Sequence, residues 1–207
     1  MEVFTLLVSA VAAVFFAIRL YQVLGRKSGH TPETPSATTR KPAEADKADP
    51  VMAAQFSGPG QTGFADIARI DPSFDPVAFL AGADAAYALI VGSFAKGDKD
   101  ALKPLLSEKV YTRYAKAIDD REARGEVTTT EIERIAKARI EDAELDGKIA
   151  RVRVHFKADI ATETKSKDGT RIAGDLSRIT EVEEIWSFER QADSRDPNWR
   201  LAGVKAV

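Results

Sequence analysis

The chain has 207 residues, which is enough for one globular domain plus extensions but short for two full domains. Its 30 basic and 32 acidic residues give a net charge of -2, so there is no positive excess to attract nucleic acid. The absence of cysteine excludes disulfides, thiolate nucleophiles and cysteine metal sites. With only two histidines, His30 and His155, a histidine zinc site is hard to assemble.

The first predicted element is an apolar helix. Residues 3–18 carry no charge, and continuation to residue 24 gives about 22 residues, roughly 33 Å of helix, which is long enough to span a bilayer. A cleaved signal peptide is the alternative, but such peptides begin with Lys or Arg, whereas here only Glu2 precedes the apolar segment. We therefore predict a transmembrane anchor with a basic flank over residues 1–27. The residues expected to anchor the chain in the membrane are Val3, Phe4, Leu6, Leu7, Phe15, Phe16 and Ile18.

The flanks of this segment predict its orientation. Arg19, Arg26 and Lys27 follow it, so the positive-inside rule places the rest of the chain on the cytoplasmic side of a bacterial inner membrane, as a single-pass protein. Residues 28–63 are rich in Pro, Thr, Ser and Ala without an apolar period, which predicts a disordered linker before a folded domain over residues 64–207.

Three helices are predicted at the start of that domain. Asp75 and Pro76 form a helix start, and Gly97 provides a left-handed stop after an apolar stripe that includes Tyr87. A short helix follows Asp98. A third helix is capped by Ser107 and stopped by Gly125, with Tyr114 among its inner residues.

After Gly125 the pattern changes to period two with β-branched residues, which predicts strands over residues 129–144, 149–164, 179–190 and 199–204. Asp146-Gly147 is a hairpin signal, so consecutive antiparallel pairing is expected. The predicted fold class is therefore α+β, with helices packed on a four-stranded antiparallel sheet.

The second predicted strand has one apolar and one basic face. Its outward strip is a candidate contact for anionic lipid or an acidic partner, and consists of Arg151, Arg153, His155 and Lys157. The alternative is cross-strand pairing with an acidic strip on the third strand that includes Glu181 and Glu183.

Catalysis is not expected, because the sequence has no HExxH, phosphate loop or serine-elbow motif and offers no nucleophilic cysteine. Asp119, Asp120 and Glu122 follow one another on a helix, so they point in different directions instead of converging on a substrate. No catalytic residue, cofactor or metal site is predicted.

Three stretches carry a family resemblance: FDPVAFLAGADAAYALIVGSFAKGDKDALKPLL, IEDAELDGKIARVRVHF and EEIWSFERQADSRDPNWRLAGV. They resemble the Tim44-like domain family, including its alphaproteobacterial TimA-type branch. The resemblance implies a cone-shaped fold similar to the nuclear transport factor two group, with helices covering a curved sheet around a hydrophobic cavity. The side chains expected to line that cavity are Phe79, Tyr87, Ile90, Phe94, Val154, Phe156 and Trp186.

The resemblance also implies a function. The mitochondrial namesake is an inner-membrane protein that tethers an import-motor chaperone to a translocase, and another relative attaches ribosomes to the membrane. We therefore expect an adaptor in membrane-protein biogenesis or protein transport, with translocase, ribosome or chaperone components as partners. The alternatives are a lipid or small apolar ligand-binding domain and, less favoured, a cone-fold isomerase or dehydratase.

Overall fold

The computed structural model describes residues 61–207, so the predicted anchor and all but the end of the predicted linker lie outside the described residues. The described elements are four helices and five strands. The helices are α1 (Gln61–Ile70), α2 (Pro76–Lys96), α3 (Lys99–Leu102) and α4 (Glu108–Ala123), and the strands are β1 (Val127–Asp146), β2 (Ile149–Lys165), β3 (Arg171–Gly174), β4 (Thr180–Gln191) and β5 (Arg200–Ala206).

The three predicted helices are confirmed as α2, α3 and α4, and side-chain caps are present at the starts of α2 and α3 but not of α4. The Asp75 carboxylate accepts a hydrogen bond from the Val77 N–H at 2.8 Å, and Gly97 ends α2 in a left-handed conformation with φ of 78°. Asp98 caps α3 by accepting from the Ala101 N–H at 2.9 Å. Ser107 precedes α4 as predicted, but its side chain makes no capping hydrogen bond.

The sheet is antiparallel and open, in the order β1-β2-β4-β5, which confirms the predicted α+β class and the consecutive pairing of the four predicted strands. The prediction of only four strands is corrected by β3, which pairs with the end of β2 beyond β4. β3 has only four residues, so it is too short to show a period-two pattern. It ends at Gly174, whose φ is 70°.

The core lies between α2 and the inner face of the sheet. Along β2 the inner residues Val152, Val154 and Phe156 are buried, as the alternation predicted. In the described part of the chain α2 is the one helix long and apolar enough to cross a membrane. Its Tyr87 ring, however, contacts rings on both β2 and β4, so within this domain α2 is a core helix.

Helix α1 was not predicted, because its sequence QTGFADIARI begins in the composition typical of the linker. It packs on β1, and Ile67 is completely buried. Gly63 permits this approach: a Cβ atom at Gly63 would overlap the backbone carbonyl of Ala143. The division of the chain at residue 64 remains a prediction.

Substitution of Gly63 tests the seating of α1. We expect Gly63→Ala to lower the free energy of unfolding by about 1–3 kcal/mol, because the helix must move away from β1. Gly82 is the matched control, since it is exposed on α2 and an added Cβ meets no atom within 4 Å. Gly82→Ala is expected to raise the same quantity by about 0.5–1 kcal/mol in urea denaturation. Equal effects of the two substitutions would contradict the contact between α1 and β1.

Candidate partner-binding surface

The predicted basic strip lies on the outer face of β2 and is paired with carboxylates of the neighbouring strands. Three of its four members form ion pairs: Arg151 with Glu144 at 3.7 Å and Glu189 at 3.9 Å, Arg153 with Asp142 and with Glu144 at 3.5 Å, and Lys157 with Glu181 at 2.9 Å. The structure therefore shows the cross-strand pairing. A role of the strip in contacting lipid or a partner stays a prediction.

His155, the fourth member, lies between two glutamates. Its Nδ1 is 3.2 Å from Glu141 Oε1 and its Nε2 is 2.7 Å from Glu183 Oε1, and the side chain is only 12% exposed. The Nε2 contact is too poorly aligned for a hydrogen bond, so it is a close approach of a ring to a carboxylate. The centre of the strip is thus surrounded by acidic groups and is not a free basic patch.

The residues predicted to line a cavity lie in the core, in two aromatic groups. The Tyr87 ring centroid is 4.7 Å from that of Phe156 and 4.6 Å from that of Trp186. Phe79 belongs to the other group, with Trp199 at 4.8 Å and Phe188 at 5.9 Å. Ile90 and Val154 are buried in the same core, and Phe94 packs against its edge beside Tyr114 at 4.8 Å. Their role as a cavity lining stays a prediction.

Glu184 is a functional candidate that the sequence reasoning missed. It lies on the inner face of β4, opposite Phe156, where its Oε2 accepts a hydrogen bond from Trp186 Nε1 at 2.9 Å. Burial raises the pKa of Glu184, and the Trp186 hydrogen bond only partly opposes this. Burial and the nearby Glu184 charge also raise the pKa values of Tyr87 and Tyr114. Glu184 lies two residues before Trp186 on a strand whose side chains alternate between faces. The sequence could therefore have placed Glu184 on the inner face, beside Trp186.

Asp84 is a second carboxyl in apolar surroundings. It is the only charged residue of α2 before Lys96. Its Oδ1 is buried and has no hydrogen-bond partner among the described residues, and burial raises its pKa. The described part of the chain contains no group of three or more histidine or acidic residues that could hold a metal ion.

The acidic residues of α4 are divided between different lysines. Lys99 lies 2.6 Å from Asp119 and 3.9 Å from Glu122, whereas Lys116 contacts Asp120 at 2.9 Å. Asp119 and Glu122 thus share one lysine whereas Asp120 contacts another, so the three carboxylates do not form one cluster.

Arg190, which ends the sequence W-x-F-x-R on β4, forms a largely buried clamp with Asp71 and Trp199. Arg190 Nη2 contacts Asp71 Oδ2, and the two side chains are 9% and 12% exposed respectively. The Arg190 guanidinium also lies over the Trp199 ring, 5.2 Å from its centroid. Burial by itself would raise the pKa of Asp71, but hydrogen bonds from Ser73 and Arg190 and the Arg190 charge outweigh it and lower that pKa. The clamp joins the α1–α2 loop to β4.

A groove of about 510 Å³ lies where the first turn of α4 meets the outer face of the sheet. Its floor is formed by the small residues Ser187, Ala202 and Gly203. Its remaining lining residues are Ser107, Glu108, Lys109, Arg151 and Glu189. The groove therefore has polar walls and a floor low enough to accept side chains of another molecule.

A family model and solved structures match the described part of the chain. A family model described as the Tim44-like domain matches residues 60–206. No curated protein matches the chain. The intermembrane-space region of the chloroplast protein ARC6 is 11% identical over 62% of this chain and 95% of its own, with a TM-score of 0.44. An NTF2-like family protein from Streptomyces avermitilis, named as a proposed dehydratase, is 12% identical over 64% of this chain and 96% of its own, with a TM-score of 0.33.

The environment of Glu184 generates a pH-dependent prediction. Because its pKa is raised in the folded state, its ionisation costs stability above that pKa, and the cost is absent below its unfolded pKa of about 4.3. We expect Glu184→Gln, which keeps an acceptor for Trp186, to raise the free energy of unfolding by about 1 kcal/mol at pH 7 and to have no effect near pH 3. Denaturation curves at the two pH values check this. A loss of stability at pH 7 would contradict the buried environment of this carboxyl.

Proposed function

Because this chain belongs to the Tim44-like domain family, we propose that it is a membrane-anchored adaptor whose folded domain binds a partner protein at the membrane surface. The apolar segment over residues 3–24 holds the chain in the bilayer, and the linker gives the domain its reach. The domain contributes a binding surface and performs no chemistry.

The observation that carries this proposal is the outward groove beside α4. It is open to solvent and bordered by charged side chains, and its floor of small residues leaves room for a partner. The aromatic side chains of the interior, in contrast, lie in mutual contact. Aromatic contacts in the interior and an open groove outside together support protein binding at the surface of the domain.

Tethering makes a modest surface sufficient. A flexible link of a few tens of residues raises the local concentration of the domain at the bilayer into the millimolar range. Weak contacts with a partner that is itself in the membrane then become effective. The basic flank Arg19, Arg26 and Lys27 supports an inward-facing domain at a bacterial inner membrane.

Membership of the family supports a choice of partner class. Translocase, ribosome or chaperone components working on membrane or exported proteins are the candidates, and the net charge of -2 gives no support to nucleic acid.

One observation favours an enzyme as the second candidate. An isomerase or dehydratase of this fold would need a carboxyl with a perturbed pKa on the inner face, and Glu184 beside Tyr87 and Tyr114 has that character. A substrate at Glu184 would have to compete with the rings of Tyr87 and Trp186, which lie in contact with each other. The adaptor therefore ranks first, ahead of both the enzyme and a carrier of apolar ligands.

Site-specific crosslinking in cells tests the adaptor proposal. A photo-crosslinking residue is placed in the full chain at Lys109, in the groove wall, or at Lys137, an exposed lysine on β1 that serves as the matched control. We expect the chain to resist alkaline extraction from membranes and to form a discrete crosslinked product at position 109 that position 137 does not give. A chain released into the soluble fraction, or equal crosslinking at both positions, would defeat the proposal.

A further inference from the structure

Strand β5 is an edge strand whose outer backbone groups are open over most of its length. The Val207 N–H donates to the Glu183 carbonyl at 3.1 Å, which fixes the alternation of the β4–β5 ladder. In an antiparallel pair this alternation turns the N–H and C=O groups of Val204 and Ala206 away from β4. Among the described residues, backbone hydrogen bonds reach the outer edge of β5 only at Leu201.

The fold already uses one end of this edge for strand addition. The Leu201 N–H donates to the Leu105 carbonyl at 2.8 Å, and the Ser107 N–H donates to the Leu201 carbonyl at 2.9 Å. The segment 105–107 therefore runs parallel to β5 for one bridge before the chain turns into α4. The edge of β5 accepts an extended backbone, and no backbone hydrogen bond from another described residue reaches its remainder.

The opposite edge of the sheet is protected in a way that β5 is not. β1 has three register irregularities against β2, and such bulges interrupt the regular backbone pattern that a new strand would need. β5 has one irregularity, between Leu201 and Gly203, and is regular from Gly203 onward. The backbone of β5 is therefore better suited than that of β1 to pair with an added strand.

The groove lies beside this open edge and provides room for side chains. Gly203 and Ser187 are paired across β4 and β5 and form its floor with Ala202. A Cβ atom built at Gly203 meets no atom within 4 Å, so the space above it is free. Side chains on the outer face of an added strand would enter this space.

The unpaired charges around the edge are mainly positive. Lys109 in the groove wall, Arg113 one turn later on α4 and Lys205 on β5 are exposed and form no ion pair with any described residue. The opposing unpaired charge is Glu108, whereas Arg151 and Glu189 lie within ion-pair distance of each other. This excess of positive charge complements acidic side chains.

We propose that β5 binds an extended, acidic segment of a partner protein as an added strand, with the segment's backbone paired to Val204 and Ala206 and its acidic side chains beside Lys109, Arg113 and Lys205. This mode of recognition, in which an edge strand supplies the affinity and neighbouring side chains the specificity, is well established for protein domains. The inference rests on the proposed function, which makes the ligand a protein.

The probe is a fluorescent hexapeptide of alternating glutamate and valine with blocked ends, titrated against the full chain in detergent micelles and followed by anisotropy. We expect saturable binding that weakens as salt is added, and no binding of the matched lysine–valine peptide. N-methylation of one alternate set of peptide amides should abolish binding, and methylation of the other set should leave it intact, because only one edge of an added strand faces β5.

Variants of the chain locate the site. Gly203→Leu fills the groove, and Val204→Pro removes an outward N–H without touching the β4 ladder. Each is expected to weaken binding by about tenfold or more, whereas Gly92→Ala, a glycine with equally free space on α2, leaves it unchanged. Circular dichroism of the variants distinguishes loss of the binding site from loss of the fold. The double substitution Lys109→Glu with Arg113→Glu tests the contribution of positive charge to binding without altering β5.

Three results would overturn the inference. The first is no binding up to millimolar protein, and the second is binding that survives Gly203→Leu and Val204→Pro in folded chains. The third is an equal effect of the two methylated peptides. A positive groove crosslink at position 109 alongside any of these results would leave the adaptor function standing. Strand addition alone would then have failed.

Discussion

The buried ion pair between Asp71 and Arg190 is the contact on which the arrangement of this domain depends. Arg190 projects from the inner face of β4 beside Trp186 and Phe188, and a charge in such a place is tolerated only with a partner. Asp71 reaches it from the α1–α2 loop, and the guanidinium rests against Trp199 just before β5. One pair thereby joins the helical layer to the end of the sheet that carries β5.

The consequences for function lie on the outer surface. With α2 packed onto the sheet through Tyr87, the inner face is occupied by aromatic contacts. The basic residues on the outer face of β2 form ion pairs with carboxylates of β1 and β4, which links the three strands. What remains available is the junction of α4 and β5, where a groove, an open backbone edge and unpaired lysines coincide. A scaffold of this kind suits a tethered adaptor, because a rigid edge presents the same geometry to each partner.

The parts of the fold that were predicted from sequence are those with strong local signals. Asp75-Pro76 and Gly97 bracket α2 because capping and left-handed termination depend only on adjacent residues. Helix α1 was missed because its stability comes from packing on β1, far along the chain. The clamp joins residues 119 positions apart, so no local pattern contains it. The groove is assembled from α4, β2, β4 and β5, and its position therefore required the sheet register.

A double-mutant cycle on the clamp measures the central contact directly. The free energies of unfolding of the unaltered chain, Asp71→Asn, Arg190→Met and the double variant are compared at neutral pH. We expect each single substitution to cost about 3–5 kcal/mol, because it leaves a buried group without its partner, and the double variant to cost much less than the sum, with a coupling of roughly 2–3 kcal/mol. Additive effects of the two substitutions would show that Asp71 and Arg190 act independently, and would contradict the role of this pair in joining the helices to the sheet.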